Sequence, residues 1–295
     1  MKENWELMLE TVKNRGPDSF KITKIDEDGV FAFARLAFVG EAESSQPIQT
    51  DDGRYYLMFN GEVYNHKELR QQAISRGWKF RTKTDTEVLL ALLIQLGIQG
   101  LSLIDGMFAF VLYDKQEREL ILGRDQAGIK SLYYQFSDDM DSCCFSSSLD
   151  TFIRASRENP SVSAESVLDF MILGYVPSPY TTLNKVCKLR PGEIKWARLG
   201  NDSITHRIEQ KYKCVQKRNL VDSLSAGICK QLDIKHKPSL SCSGGIDSST
   251  IYRLIGSLCP IGAHSYHFEQ KDSDESRNYK ELSKKYPHIK DIIIN

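Results

Sequence analysis

The sequence predicts two domains of different construction, a β-rich α+β domain over residues 1–200 and the start of a parallel α/β domain over residues 201–295. Three observations carry this. A length of 295 residues suits about two domains at roughly 150 residues each. The first half holds several short strand-like runs and only two or three helical ones, with no internal repeat. From about Leu220 the rhythm changes to helix, strand, helix, strand, the order that lays down a parallel sheet.

In chain order, residues 4–13 read as an amphipathic helix, with Trp5, Met8, Leu9 and Val12 spaced by three and four. Arg15-Gly16-Pro17-Asp18 is a tight turn. Val30 to Val39 and Tyr55 to Phe59 are strand-like, and Asn65 opens a helix carrying Leu69 and Ile74. Asp85 is placed to cap a helix from Glu87 to Leu96 whose core face is Val88, Leu89, Leu92 and Leu93. Met107 to Tyr113 and Glu119 to Leu122 are short strands one turn apart, hence a hairpin, and Cys143 to Ser147 is a further strand. Pro177, Pro179, Pro191 and Gly192 punctuate an irregular connection. The second domain then reads as a helix Leu220–Leu232, a strand Ser239–Cys242, a helix Ser248–Leu258, a strand Ala263–Phe268, a helix Asp274–Lys285 and a strand Asp291–Ile294. Three strands with so few crossover helices would leave part of a parallel sheet bare, so this domain is expected to be incomplete.

Composition narrows the classes. With 41% hydrophobic and 26% charged residues and a net charge of +0, nothing argues for a nucleic-acid or membrane surface. No apolar run approaches the roughly 20 residues a span needs, and the N-terminus lacks the apolar core of a signal peptide, so a cytoplasmic location is expected. Seven cysteines without a C-x-x-C pair, and six histidines without a cluster, give neither a disulfide framework nor a zinc site.

The stretch with the most chemistry is Ser243 to Ser249, Ser-Gly-Gly-Ile-Asp-Ser-Ser. A short strand precedes it and a helix follows. Gly244 and Gly245 let the backbone approach an anion without a Cβ in the way, and the first N–H groups of the helix point at negative charge beside the Ser248 and Ser249 hydroxyls. No Gly-Lys-Ser/Thr follows, so this is not a Walker A loop. It resembles the PP-loop of the ATP pyrophosphatases, which implies a grip on the pyrophosphate half of ATP and transfer of AMP.

Four further stretches precede it: Arg15 to Ser19 (R-G-P-D-S), Phe59 to Asn65 (F-N-G-E-V-Y-N), Gly106 to Asp114 (G-M-F-A-F-V-L-Y-D) and Gly123 to Tyr134 (G-R-D-Q-A-G-I-K-S-L-Y-Y). In this order, ahead of the PP-loop, they resemble the glutamine-dependent asparagine synthetases from about residue 13 to the end. The resemblance implies an N-terminal Ntn-hydrolase-like α/β/β/α sandwich, a class II glutamine amidotransferase, followed by an adenine nucleotide α-hydrolase-like ATP-pyrophosphatase domain. It implies a ligase that adenylates aspartate with ATP and lets glutamine-derived ammonia displace AMP to give asparagine. Glutamine, aspartate and ATP would be the small-molecule ligands, ATP and Mg²⁺ the cofactors, with a homodimer left open.

Residue by residue, Asn60 and the Gly61 N–H match the oxyanion hole that amide hydrolysis needs. Arg35 matches the guanidinium that takes the glutamine α-carboxylate, while Glu62 and Asp85 match groups beside the α-ammonium. On the ATP side the matched positions are Cys242, Ser243, Gly244, Gly245, Asp247, Ser248 and Phe268, with Asp247 arranging Mg²⁺ and pyrophosphate. Cys242 departs from the usual leucine. Each position also has a plain structural reading: Arg35 a strand arginine, Asp85 a helix cap, Asn60-Gly61 a type I′ turn.

One departure bears on activity. The family's nucleophile is an N-terminal cysteine, and no cysteine precedes Cys143 here. The expectation is therefore a fragment without glutaminase activity. The alternatives are a relative that adenylates another carboxylate without glutamine, as β-lactam synthetases and lasso-peptide cyclases do, or a non-catalytic glutamine- or ATP-binding module. In the relative that does without glutamine, the match at Arg35, Asn60, Gly61, Glu62 and Asp85 would have no purpose.

Overall fold

Alternation of side chains along two central strands organises the first part of the chain. The computed structural model describes residues 5–25, 29–36, 45–155, 160–200, 203–207, 219–232, 239–258, 264–268 and 274–294. They form two compact units, Met1–Lys211 and Tyr212–Asn295.

In the first unit the elements run α1 (Trp5–Lys13), β1 (Ser19–Ile25), β2 (Gly29–Arg35), β3 (Ile48–Gln49), β4 (Tyr55–Val63), α2 (His66–Ser75), α3 (Asp85–Leu96), β5 (Gly106–Asp114) and β6 (Glu119–Arg124). They continue as β7 (Tyr133–Phe136), β8 (Cys143–Ser146), α4 (Asp150–Ala155), α5 (Ala164–Leu173), β9 (Cys187–Lys188), β10 (Glu193–Arg198) and β11 (Ser203–Arg207). Six strands make an antiparallel sheet in the order β11-β10-β6-β5-β4-β3.

Because successive side chains leave a strand on opposite faces, this sheet builds two cores. Leu57, Phe59, Val63, Phe108, Phe110 and Leu112 face one side and meet Leu69 of α2 and the Val88–Leu93 stretch of α3. Ala109, Val111, Tyr113, Leu120 and Leu122 face the other side and meet Ile25 and Phe31 of the β1–β2 pair and Tyr134 of the β8-β7-β9 sheet. Phe152 of α4 packs beneath that smaller sheet with Leu183, Val186 and Tyr133. The helix α1 lies against α4 and β2. Hydroxyls tie this outer layer down: Thr151 lies 2.7 Å from both Thr11 and Ser146. The result is a four-layer α/β/β/α sandwich.

Several elements differ from their sequence reading. The strand expected over Val30–Val39 ends at Arg35, and residues 37–39 lie outside the described ones. The strands β1, β10 and β11 receive no assignment from the sequence, and β10 and β11 extend the six-stranded sheet past residue 200. Asp85 is not the cap of α3. Thr84 is, accepting from the Glu87 N–H at 3.4 Å, because its hydroxyl sits one residue earlier at the extended position. The stretch Asp85–Leu103 is long and apolar enough to cross a membrane by composition, but Val88 to Leu92 are fully buried in the helix-side core.

The second unit holds α6 (Leu220–Leu232), β12 (Ser239–Ser241), α7 (Ile246–Leu258), β13 (His264–Phe268), α8 (Asp274–Lys285) and β14 (Lys290–Ile294). Its strands pair in parallel in the order β12-β13-β14. Tyr252, Ile255, Tyr279, Leu282 and Ile289 make its core with Cys242. The helix α7 begins at Ile246, two residues before the expected Ser248, which puts Asp247 and Ser248 inside its first turn.

Candidate functional site

The outer edge of β4 sets out one row of backbone groups. Phe59 exchanges both its polar groups with the Gln46 side chain, the N–H reaching Oε1 at 2.6 Å and the carbonyl receiving Nε2 at 2.9 Å. Two residues earlier Leu57 is paired with Ile48 of β3, and at the far end the Val63 N–H is bonded to Asp85 Oδ2 at 3.0 Å. Odd residues of β4 therefore turn their polar groups to this edge and even ones to β5. Gly61 is odd. Its β5 partner Phe108 turns the other way, its N–H to Asp125 Oδ2 and its carbonyl to the Asp125 N–H. The Gly61 N–H thus points out of the sheet edge between two satisfied neighbours.

Glycine is required there. Gly61 has φ +155°, and an added Cβ would overlap the Met107 carbonyl and stand 2.7 Å from Phe108 Cα. The Asn60-Gly61 pair is consequently not a hairpin turn but the inside of a nine-residue strand.

Around this donor several charged side chains lie close enough to act on one another. Tyr56 and Met58 face the inter-sheet core, so Asn60 and Glu62, on the same face of β4, project from the end of that layer. Burial pushes the Glu62 carboxyl up, and the Asp85 carboxylate nearby pushes it further, while His66 and Lys130 pull it back. Burial likewise raises Asp85, which the Val63 N–H and His66 partly offset. Two carboxylates sharing one partly dry site are relieved by an incoming cation. On the facing sheet, Phe31 of β2 packs into the core, so by alternation Arg35 also projects between the sheets, 8% exposed. The structure groups Glu62, Asp85, His66 and Lys130 and leaves Arg35 on the opposite wall.

Residues without an assigned role in the sequence hold this site in place. The fully buried Glu87 carboxylate accepts from the N–H groups of Arg81 and Thr82 and from the Thr82 hydroxyl at 2.6 to 2.9 Å, fixing the loop that delivers Asp85. Arg124 donates to the carbonyls of Lys130, Gly128 and Leu189, and burial lowers its pKa. Asp125 accepts from Ile129 and Lys130 at 2.9 and 3.0 Å. Together they make Gly123 to Lys130 a rigid loop that sets Lys130 beside Glu62. The motif was visible in the sequence, but its clamp role was not.

The second unit carries its own candidate. Gly244 has φ +93°, which turns the chain from β12 into α7. The loop is self-bonded: the Gly245 N–H reaches Ser243 Oγ at 3.2 Å, and Ser248 Oγ lies 3.2 Å from Ser243 Oγ and 3.3 Å from the Gly245 carbonyl. The N–H groups of Ile246, Asp247 and Ser248 belong to a first helical turn, which offers them no intrahelical acceptor. Ser249 Oγ is buried with no hydrogen-bond partner among the described residues. Asp247 is exposed. Cys242 turns its side chain into the core at 1% exposure, and its carbonyl lies 2.8 Å from His267 Nδ1. The Phe268 side chain lies outside the described ones. Among the described residues no three His, Cys, Asp or Glu gather to hold a metal. Asp247 alone therefore fits Mg²⁺ only where phosphate oxygens complete the shell.

Residues 1–212 match the glutamine amidotransferase domain family. Asparagine synthetase [glutamine-hydrolyzing] 1 of Bacillus subtilis is 31% identical over 285 residues, covering 94% of this chain and 44% of that protein. The probable asparagine synthetase [glutamine-hydrolyzing] of Schizosaccharomyces pombe is 30% identical over 270 residues, covering 90% and 43%. The chain thus spans less than half the length of these relatives. Among solved structures, glutamine phosphoribosylpyrophosphate amidotransferase of B. subtilis superposes with a TM-score of 0.48 at 16% identity, covering 97% of this chain and 61% of that one.

Proposed function

The chain belongs to the glutamine amidotransferase domain family, in the branch of the glutamine-hydrolysing asparagine synthetases. From that premise we propose that the β4 edge binds glutamine and that the Ser243–Ser249 loop binds the pyrophosphate end of ATP, as in amidation of aspartate to asparagine. The observation that carries the first half is the Gly61 N–H, aimed outward between satisfied neighbours beside Asn60. Attack on an amide carbonyl builds negative charge on its oxygen, and a fixed N–H in a partly dry site stabilises that charge without reorganising. Glu62 and Asp85 would take the α-ammonium and Arg35 the α-carboxylate. A relative that ignores glutamine would have no use for this arrangement.

The attacking group is the part the described residues do not supply. Burial holds the Cys143 thiol well above its ordinary range and pushes Cys144 up to about 11, so neither offers a thiolate at neutral pH. For this chain we therefore infer glutamine binding without hydrolysis.

For the second half, the orphaned Ser249 hydroxyl and the first-turn N–H groups of α7 support an anion at that loop. Bound Mg²⁺ would supply charge neutralisation on the phosphates, with Asp247 as its protein contact. Aspartate adenylation would proceed by attack of its side-chain carboxylate on the α-phosphate, releasing pyrophosphate, after which ammonia displaces AMP. Calorimetry with glutamine and with ATP·Mg²⁺, alongside a glutamate-release assay, tests the reading. Binding of both ligands without glutamate release is expected. Turnover above the buffer blank would overturn the non-hydrolytic reading, and ATP binding unchanged in Asp247→Ala would overturn the role given to that loop.

A further inference from the structure

Gln46 has no part in the reading above, yet it is 7% exposed and spends its whole side chain on one residue. Its amide accepts from the Phe59 N–H and donates to the Phe59 carbonyl, which is the pair of bonds a neighbouring strand would make. The true neighbour, β3, is two residues long and reaches only Tyr56 and Leu57. The Gln46 side chain therefore continues the sheet by one rung. The next rung would be Gly61.

We propose that Gln46 is a positioning residue for the Asn60–Gly61 donor pair: its amide stands in for a strand at Phe59 and, among the described residues, is the last rung before Gly61. A longer β3 would consume the Gly61 N–H in a backbone bond. No partner at Phe59 would leave a buried N–H and carbonyl unsatisfied and free the peptide that carries Asn60. A primary amide does what neither alternative can, satisfying one residue and leaving the following donor to ligand. Gln46 and Asp85 then hold the strand on either side of Gly61, a residue whose own backbone is permissive. This role rests on the glutamine reading of the site.

The test uses the full ¹⁵N-labelled chain as wild type, Gln46→Met, which keeps the length and loses both bonds, and Gln46→Glu, which keeps the acceptor alone. Each is titrated with 2-amino-4-phosphonobutanoate, whose tetrahedral anion mimics the developing oxyanion, and with norvaline, which shares only the α-carboxylate and ammonium. Gln46→Met is expected to speed Phe59 amide exchange about tenfold, shift the Gly61 resonance, and weaken the phosphonate about tenfold more than norvaline. Gln46→Glu should fall between. Equal weakening of both ligands, or an unmoved Gly61 resonance, would reduce Gln46 to a packing residue and overturn the proposal. A wild-type chain that binds neither ligand would instead overturn the glutamine reading itself, and this role with it. Should Gln46→Met fail to fold, the same ratio in Gln46→Glu decides.

Discussion

The two candidate sites present backbone N–H groups to an anion by opposite means. At the β4 edge, one donor has no acceptor among the described residues while distant residues close the others: Gln46 at Phe59, Asp85 at Val63, Asp125 at Phe108. In the second unit, the seven residues Ser243 to Ser249 hold themselves, with a serine hydroxyl bridging the turn and a helix supplying the donors by its own geometry. The first site is fixed by the fold and the second by its own sequence. Damage should therefore spread differently in each.

The sharpest contrast is between the two glycines. Gly61→Ala drives a Cβ into the β5 backbone, so a loss of about 3 kcal/mol in the first unit and loss of glutamine binding are expected. Gly244→Ala takes on the cost of a left-handed backbone, about 1 kcal/mol, while ATP affinity falls. Chemical denaturation with ligand titration compares them, and equal stability losses would break the distinction.

Next comes Arg124→Met, which strands three carbonyls around the Gly123–Lys130 loop. We predict about 2 kcal/mol lost and weakened glutamine binding through Lys130 and Glu62, without touching either ligand contact. Glutamine affinity equal to wild type would detach that loop from the site.

Asp85→Asn separates charge from hydrogen bonding, since the amide oxygen can still accept from Val63. Burial raises the Asp85 carboxyl in the folded state, so the folded chain holds its proton harder than the unfolded one. Stability should then fall as pH rises from the ordinary carboxylate value of 3.8 through the raised folded value, and level off above it. The asparagine variant should flatten that decline and lose roughly tenfold in glutamine affinity at neutral pH, with Glu62 supplying the remaining pH dependence. An unchanged stability profile would remove Asp85 as its source.

The smallest effect is expected at Ser249→Ala. The hydroxyl has no partner among the described residues, so stability should move by less than about 0.5 kcal/mol, while pyrophosphate affinity drops several-fold. A stability loss well beyond that would mean the hydroxyl is already in use.

The same contrast explains what could be read in the chain beforehand. The Ser243–Ser249 loop, the helices Leu220–Leu232 and Asp274–Lys285, and the core helix at Asp85–Leu96 are local patterns and are legible as such. Gln46 is invisible because its partner Phe59 is joined to it only when β4 forms. Glu87 sits among α3 residues and looks like an exposed first-turn acid, although it is buried and bonded back to Arg81 and Thr82. In β1 the apolar residues Phe20 and Ile22 are exposed and the buried one is Ile25, so the sequence pattern does not mark the core face. In β4, Asn-Gly carries a turn propensity that pairing with β5 overrides across all nine residues. Asp85 looks like a helix cap in the sequence, but locally it is an acceptor for the Val63 N–H.

The most direct measurement is a glutamine titration of the ¹⁵N-labelled chain followed at the Gly61 amide, with Arg35→Lys as the comparison. A saturable downfield shift at Gly61, with Asn60 moving alongside and affinity reduced in Arg35→Lys, is the predicted result. Saturating glutamine that leaves both resonances in place would contradict the claim that this strand edge is built to hold the amide of glutamine.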